Sequence, residues 1–64
     1  MPVSNLAAKR MLKEAGAKRV SDDALTEFAE TVNRYAYKIA AKAIRLASHA
    51  KRKTVNKEDI ELAK

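Results

Sequence analysis

Cysteine is absent from the 64 residues, so disulfide scaffolds, thiolate zinc sites and thiol catalysis are excluded, and the composition fits a reducing compartment. Glycine and proline occur once each, which leaves few places where a helical chain must break. No stretch approaches the roughly 20 apolar residues of a membrane span. The N-terminal residues also lack the apolar core of a secretion signal, so the reading at this level is a soluble, intracellular protein. Acidic residues are missing from a long internal window. Residues 31–57 hold Arg34, Lys38, Lys42, Arg45, Lys51, Arg52, Lys53 and Lys57 without one Asp or Glu.

What is present is 47% hydrophobic and 34% charged, with 14 Lys+Arg against 8 Asp+Glu, a net charge of +6. Residues 1–64 therefore read as one small basic domain. A chain of about 60 residues buries only about 60% of its unfolded surface and usually needs further support. With no disulfide and no evident metal ligands, oligomerisation is the expected support. A basic domain containing an acid-free basic block points to a polyanion such as nucleic acid, with an anionic membrane surface as the weaker option.

The few breakers divide the chain into three helical segments. The first opens with Ser4 or Asn5 as its cap, carries Ala7, Ala8, Met11, Leu12 and Ala15 at helical spacing, and stops at Gly16. After the loop Ala17–Val20, Ser21 caps a second helix whose first turn holds Asp22 and Asp23, where carboxylates favour the positive end of the helix dipole. This helix runs to about His49. Residues 50–55 read as a second loop, and Asn56 caps a short third helix with Glu58 and Asp59 in its first turn and Ile60 and Ala63 facing inward.

The length of the second helix decides much about the fold. Its 28 residues span about 42 Å at about 1.5 Å each, while a compact chain of this size is only about 28 Å across. Leu25, Phe28, Val32, Tyr35, Ile39, Ala43 and Leu46 form one apolar stripe, widened by Ala29, Ala36, Ala40, Ile44 and Ala47. Two short helices cannot cover so wide an arc. The expectation is an all-α obligate homodimer in which the long helices cross, small Ala residues allowing close approach.

At this point the chain resembles the histone fold, and within it the archaeal histones. The residues responsible are Ala15-Gly16-Ala17-Lys18-Arg19-Val20-Ser21-Asp22-Asp23-Ala24, Ala47 to Ala50 with His49, Arg52-Lys53-Thr54-Val55, and Glu58-Asp59-Ile60-Glu61-Leu62-Ala63. The resemblance covers nearly the whole chain. It implies an intertwined head-to-tail dimer in which the first loop of one protomer lies beside the second loop of its partner and the pair contacts duplex DNA. Arg19, with its neighbour Lys18, matches the arginine that enters the minor groove; Lys53 and Thr54 match the phosphate contact of the second loop; Arg10 and Lys13 match cations on the first helix. Arg52 and Asp59 match an ion pair within the chain. Leu46, His49 and Asp59 match the surface through which dimers join in a four-helix bundle, and repetition of that bundle makes an open, DNA-winding superhelix. Gly16 matches the site where successive turns approach closely.

Three departures stand out. The usual N-terminal lead is replaced by Met1-Pro2-Val3-Ser4-Asn5; the chain stops at Lys64, shortening the third helix; and Lys51 stands where many members have Gly. A left-handed conformation at Lys51 costs about 1 kcal/mol.

By residue type alone Arg19 reads as a solvated loop cation; the flanking motif reverses that. Arg34, Lys38, Lys42 and Arg45 form a stripe that is either a solvent face or a DNA contact. His49 has no second His or Cys at ligand spacing, which favours a hydrogen bond to Asp59 of a neighbouring dimer over metal or catalytic work. Tyr35 reads as core and Tyr37 as surface. No nucleophile triad, phosphate loop or metal signature is present. The expectation is a chromosome-associated, cytoplasmic, non-enzymatic protein without cofactor or small-molecule substrate, whose partners are duplex DNA, further copies of itself and histone paralogues. The alternative is a histone-fold scaffold that touches DNA incidentally.

Overall fold

The computed structural model describes residues 3–64; the expectations for Met1 and Pro2 lie outside them. Three helices follow one another, α1 (Asn5–Glu14), α2 (Asp22–His49) and α3 (Lys57–Ala63), with no strand among the described residues. The chain divides into two compact units, one ending at Arg34 and the other Tyr35–Lys64, with α2 continuous through both.

In the first unit, α1 begins where the Ser4 hydroxyl accepts the Ala7 N–H at 3.1 Å. It ends in a left-handed glycine motif: the Gly16 N–H donates to the Lys13 carbonyl and the Ala17 N–H to the Leu12 carbonyl, both at 3.0 Å, with Gly16 at φ +118°. The start of α2 repeats the hydroxyl cap, Ser21 Oγ accepting the Ala24 N–H at 3.1 Å. Ala8 and Ala29 are buried, with Leu12, Leu25, Phe28 and Val32 half-buried.

In the second unit, α2 ends by the same geometry as α1. The Lys51 N–H donates to the Ser48 carbonyl at 2.8 Å and the Arg52 N–H to the Ala47 carbonyl at 2.9 Å, and the left-handed position, φ 62°, is held by Lys51. The expected strain at this residue is therefore present. At the start of α3 the Asp59 carboxylate reaches back to accept the Asn56 N–H at 2.8 Å. Ala43, Ala47 and Ala63 are buried, and Ile39 and Leu46 half-buried.

Every buried hydrophobic side chain among the described residues is an alanine, and no large side chain is fully enclosed. Two apolar side chains expected to be inside are not enclosed within the single chain. Tyr35, read as core, is 59% exposed, and Ile60, read as facing inward, is 41% exposed. Leu6, Met11, Ile44 and Leu62 stand open as well. The apolar periodicity names which side chains share a face; burial requires a second surface, which a single chain does not supply. The chain leaves 5412 Å² accessible, against roughly 4,100 Å² for a folded monomer of this mass.

Candidate nucleic-acid interface

Loop 1 is built from the end of α1 and the start of α2. The glycine turn at Gly16 reverses the chain without steric penalty, and a Cβ placed there would meet nothing within 4 Å. Lys13 bends over the loop and donates from Nζ to the Lys18 carbonyl at 2.8 Å. Lys18 and Arg19 are exposed, with Val20 between them and the Ser21 cap. Arg10 and Lys13 are exposed on α1 in the same unit. Lys13 thus has a structural task that spacing did not reveal: it holds the loop carbonyl that flanks Arg19.

Loop 2 is organised by one arginine. Arg52 grips Asp59 in a two-pronged contact, Nη1 to Oδ2 and Nη2 to Oδ1, each at 2.9 Å, and Nη1 also donates to the Thr54 carbonyl at 3.0 Å. A planar guanidinium suits this task, because its fixed fork matches both carboxylate oxygens while a further N–H remains for the backbone. The grip from Arg52, reinforced by the Asn56 N–H, holds the Asp59 carboxyl down at about 2, and the same contact raises Arg52. With Arg52 turned inward, Lys51, Lys53 and Thr54 are left exposed. Arg52–Asp59 is the sole ion pair among the described residues, so no carboxylate competes for Lys18, Arg19 or Lys53.

Of the residues expected to join dimers, Leu46 is half-buried, His49 is exposed and Asp59 is only 3% exposed. Asp59 already accepts three hydrogen bonds within its own chain. An ionised carboxylate offers about four lone-pair positions, so one remains for an outside donor. The structure brings Arg52 and Asp59 together, and Lys13 to loop 1, while Arg10, Lys18 and Arg19 belong to the first unit and Lys53, Thr54, Leu46 and His49 to the second.

Asn33 is a residue that sequence reasoning missed. Its side-chain amide pairs in both directions with the Val3 backbone, Oδ1 accepting the Val3 N–H and Nδ2 donating to the Val3 carbonyl at 3.2 Å. In the structure Asn33 is half-buried on α2, where its amide needs a partner. The replaced N-terminal lead is thus tied to α2 from Val3 onward.

The short–long–short helical order with two glycine-type turns is that of the histone fold, and the comparisons with known proteins agree. A profile of the family described as histone-like transcription factor (CBF/NF-Y) and archaeal histone matches residues 2–63. Similar relatives include probable archaeal histone 3 of Methanocaldococcus jannaschii, 54% identical over 54 residues, and one of the HAN1 archaeal histone subunits of Thermococcus zilligii, 48% identical over 54 residues. Each alignment covers 84% of this chain and 81% of the relative. The chain belongs to this family and is an all-α histone-fold protein of chromatin. None of its described helices is long and apolar enough to cross a membrane.

Proposed function

We propose that this protein binds duplex DNA with little sequence preference and wraps it, acting as a head-to-tail homodimer that assembles into tetramers and longer superhelical particles on the chromosome in the cytoplasm. The observation that carries the reading is the construction of the two loops. Each is closed by the same turn, and each displays cations outside any ion pair a few residues before a helix start: Lys18 and Arg19 before α2, Lys53 beside Thr54 before α3. Helix N-termini offer free N–H groups to phosphate, and a guanidinium suits the narrow, negative minor groove. Contacts of this kind position a duplex without reading bases, so deformability and phosphate charge govern binding.

The homodimer is supported by the uncovered apolar side chains and by the excess accessible area of roughly 1,300 Å² per chain. Doubled, that area falls in the range of roughly 2,000–5,000 Å² buried by obligate homodimers. His49 and Leu46 act with Asp59 in joining dimers, and Gly16, exposed with open space around it, permits close approach of successive turns. The role is non-enzymatic. Arg52 and Asp59 serve it indirectly, by holding loop 2 in a shape that presents Lys53 and Thr54.

Nuclease digestion of long duplex DNA reconstituted with the protein at near-physiological salt tests the reading. Fragments rising in regular dimer-sized steps are expected from continuous wrapping. Protection of one short length would restrict the protein to isolated dimers or tetramers, and absence of protection would replace wrapping by a protein-scaffold role.

A further inference from the structure

The turns that close α1 and α2 share one hydrogen-bond pattern and differ in the residue at the left-handed position, Gly16 in the first and Lys51 in the second. Glycine adopts a positive φ freely, whereas the Cβ of any other residue crowds the following carbonyl, and among those residues Asn and Asp are the ones that tolerate it. Lys51 is the sole non-glycine residue with a positive φ among the described residues. Strain at one position points to a task for its side chain. That side chain is exposed and in no ion pair among the described residues. One local task is to face the negative end of the α2 dipole. Ser48 and Ala50 are also exposed at this end of the helix, and neither is left-handed, so a charge for the dipole alone has two unstrained positions beside it.

Loop 2 supplies another task. Arg52 is committed to Asp59 and to the Thr54 carbonyl, so its guanidinium is turned away from any ligand. Lys51 and Lys53 flank it, both exposed, and no acidic residue occurs from Lys51 to Asn56. We infer that Lys51 is a duplex-DNA contact of loop 2, binding phosphate together with Lys53, and that the protein carries a lysine where glycine would fold better because this charge is used on DNA. The inference deepens the DNA-binding reading above and rests on it. With Lys51 included, each loop presents two cations at or just after its left-handed turn: Lys18 and Arg19 in loop 1, Lys51 and Lys53 in loop 2. A lysine fits the role, since its ammonium is a point charge on a flexible stem and meets a phosphate without a fixed approach geometry.

Three variants of the full chain test this, Lys51→Gly, Lys51→Ala and Lys51→Arg, each measured for thermal melting without DNA and for affinity to duplex DNA over a salt series. Lys51→Gly should melt above the unaltered protein yet bind DNA at least about fivefold more weakly at about 0.1 M salt, with the slope of log affinity against log salt lower by about 1 per protomer. Lys51→Ala should lose the same affinity without the gain in stability. Lys51→Arg keeps the charge and should bind as the unaltered protein does. A stabilised Lys51→Gly with full DNA affinity overturns the inference, and so does an equal loss of affinity in Lys51→Arg. A position-specific readout separates contact from mere loss of charge. Because the chain has no cysteine, Lys51→Cys provides a single thiol for a photoactivated cross-linker; cross-links to duplex DNA are expected, and their absence overturns the contact. Arg19→Ala is run alongside. If it weakens DNA binding while Lys51→Gly does not, this inference alone fails; if the unaltered protein binds no duplex DNA, the reading beneath it fails and takes the inference with it.

Discussion

Lys51 and Asp59 show how single residues shape the second loop. Lys51 occupies a left-handed position, φ 62°, at the end of α2, where the equivalent turn at the end of α1 uses Gly16. Replacing Lys51 by Gly removes a Cβ–carbonyl conflict, so Lys51→Gly should stabilise the protein by about 0.5–1 kcal/mol, read as a higher melting temperature. Lys51→Ala, which loses the same charge without gaining the conformational freedom, should give no such rise; if both variants stabilise equally, charge and not backbone strain is responsible. Asp59 makes stability depend on acid. Its carboxyl is held at about 2 in the folded chain by Arg52 and the Asn56 N–H, whereas an unfolded Asp titrates near about 3.9. Folding is then favoured by this group above about pH 4, and the contribution fades as pH falls toward about 2. Denaturation at a series of pH values should show an acid-side loss that shrinks in Asp59→Asn. An identical acid limb in that variant would assign the loss to other carboxylates.

Elements carry the binding. The loop that follows α1 and the loop that follows α2 use one turn geometry, and in each the backbone closure leaves cations outward. Arg19→Ala and Lys53→Ala should therefore weaken DNA binding on all sequences alike, and each should lower the slope of log affinity against log salt by about 1 per protomer, about 2 for the proposed dimer. Fluorescence anisotropy on two unrelated duplexes over a salt series checks this; a loss confined to one duplex would point to base reading. Much of these elements was legible in the chain. Ser4, Gly16 and Ser21 marked helix ends through the local chemistry of hydroxyl caps and a left-handed glycine, and the structure places helix limits at those residues. The tie between Asn33 and Val3, by contrast, joins residues 30 positions apart, and no local periodicity encodes it. Lys13 reads as a cation of α1, but its bond to the loop carbonyl of Lys18 was missed for a related reason, since a lysine's long stem reaches a carbonyl that spacing does not name.

At the scale of the molecule the controlling fact is that, among the described residues, every buried hydrophobic one is an alanine, beside exposed Leu6, Tyr35, Ile44 and Leu62. With the proposed dimer supplying further apolar burial, the melting temperature should rise with protein concentration in DNA-free solution. A concentration-independent transition would mean that the monomer is stable alone. In the proposed assembly, dimers join through a different surface. His49→Ala should leave dimers intact while weakening tetramers and longer particles, as measured by sedimentation; undiminished assembly would exclude His49 from that contact.

By itself the sequence determined the helix limits, the wide apolar arc of α2 and the uneven charge, because caps, periodicity and composition act within a few residues of one another. It also contained the motifs that mark the family. Tertiary structure alone decided which members of the apolar stripe are enclosed, that Arg52 closes on Asp59 with both nitrogens, and that Asn33 holds Val3. Those outcomes depend on which surfaces meet and on the reach of individual side chains, distances that one-dimensional spacing along a helix does not specify.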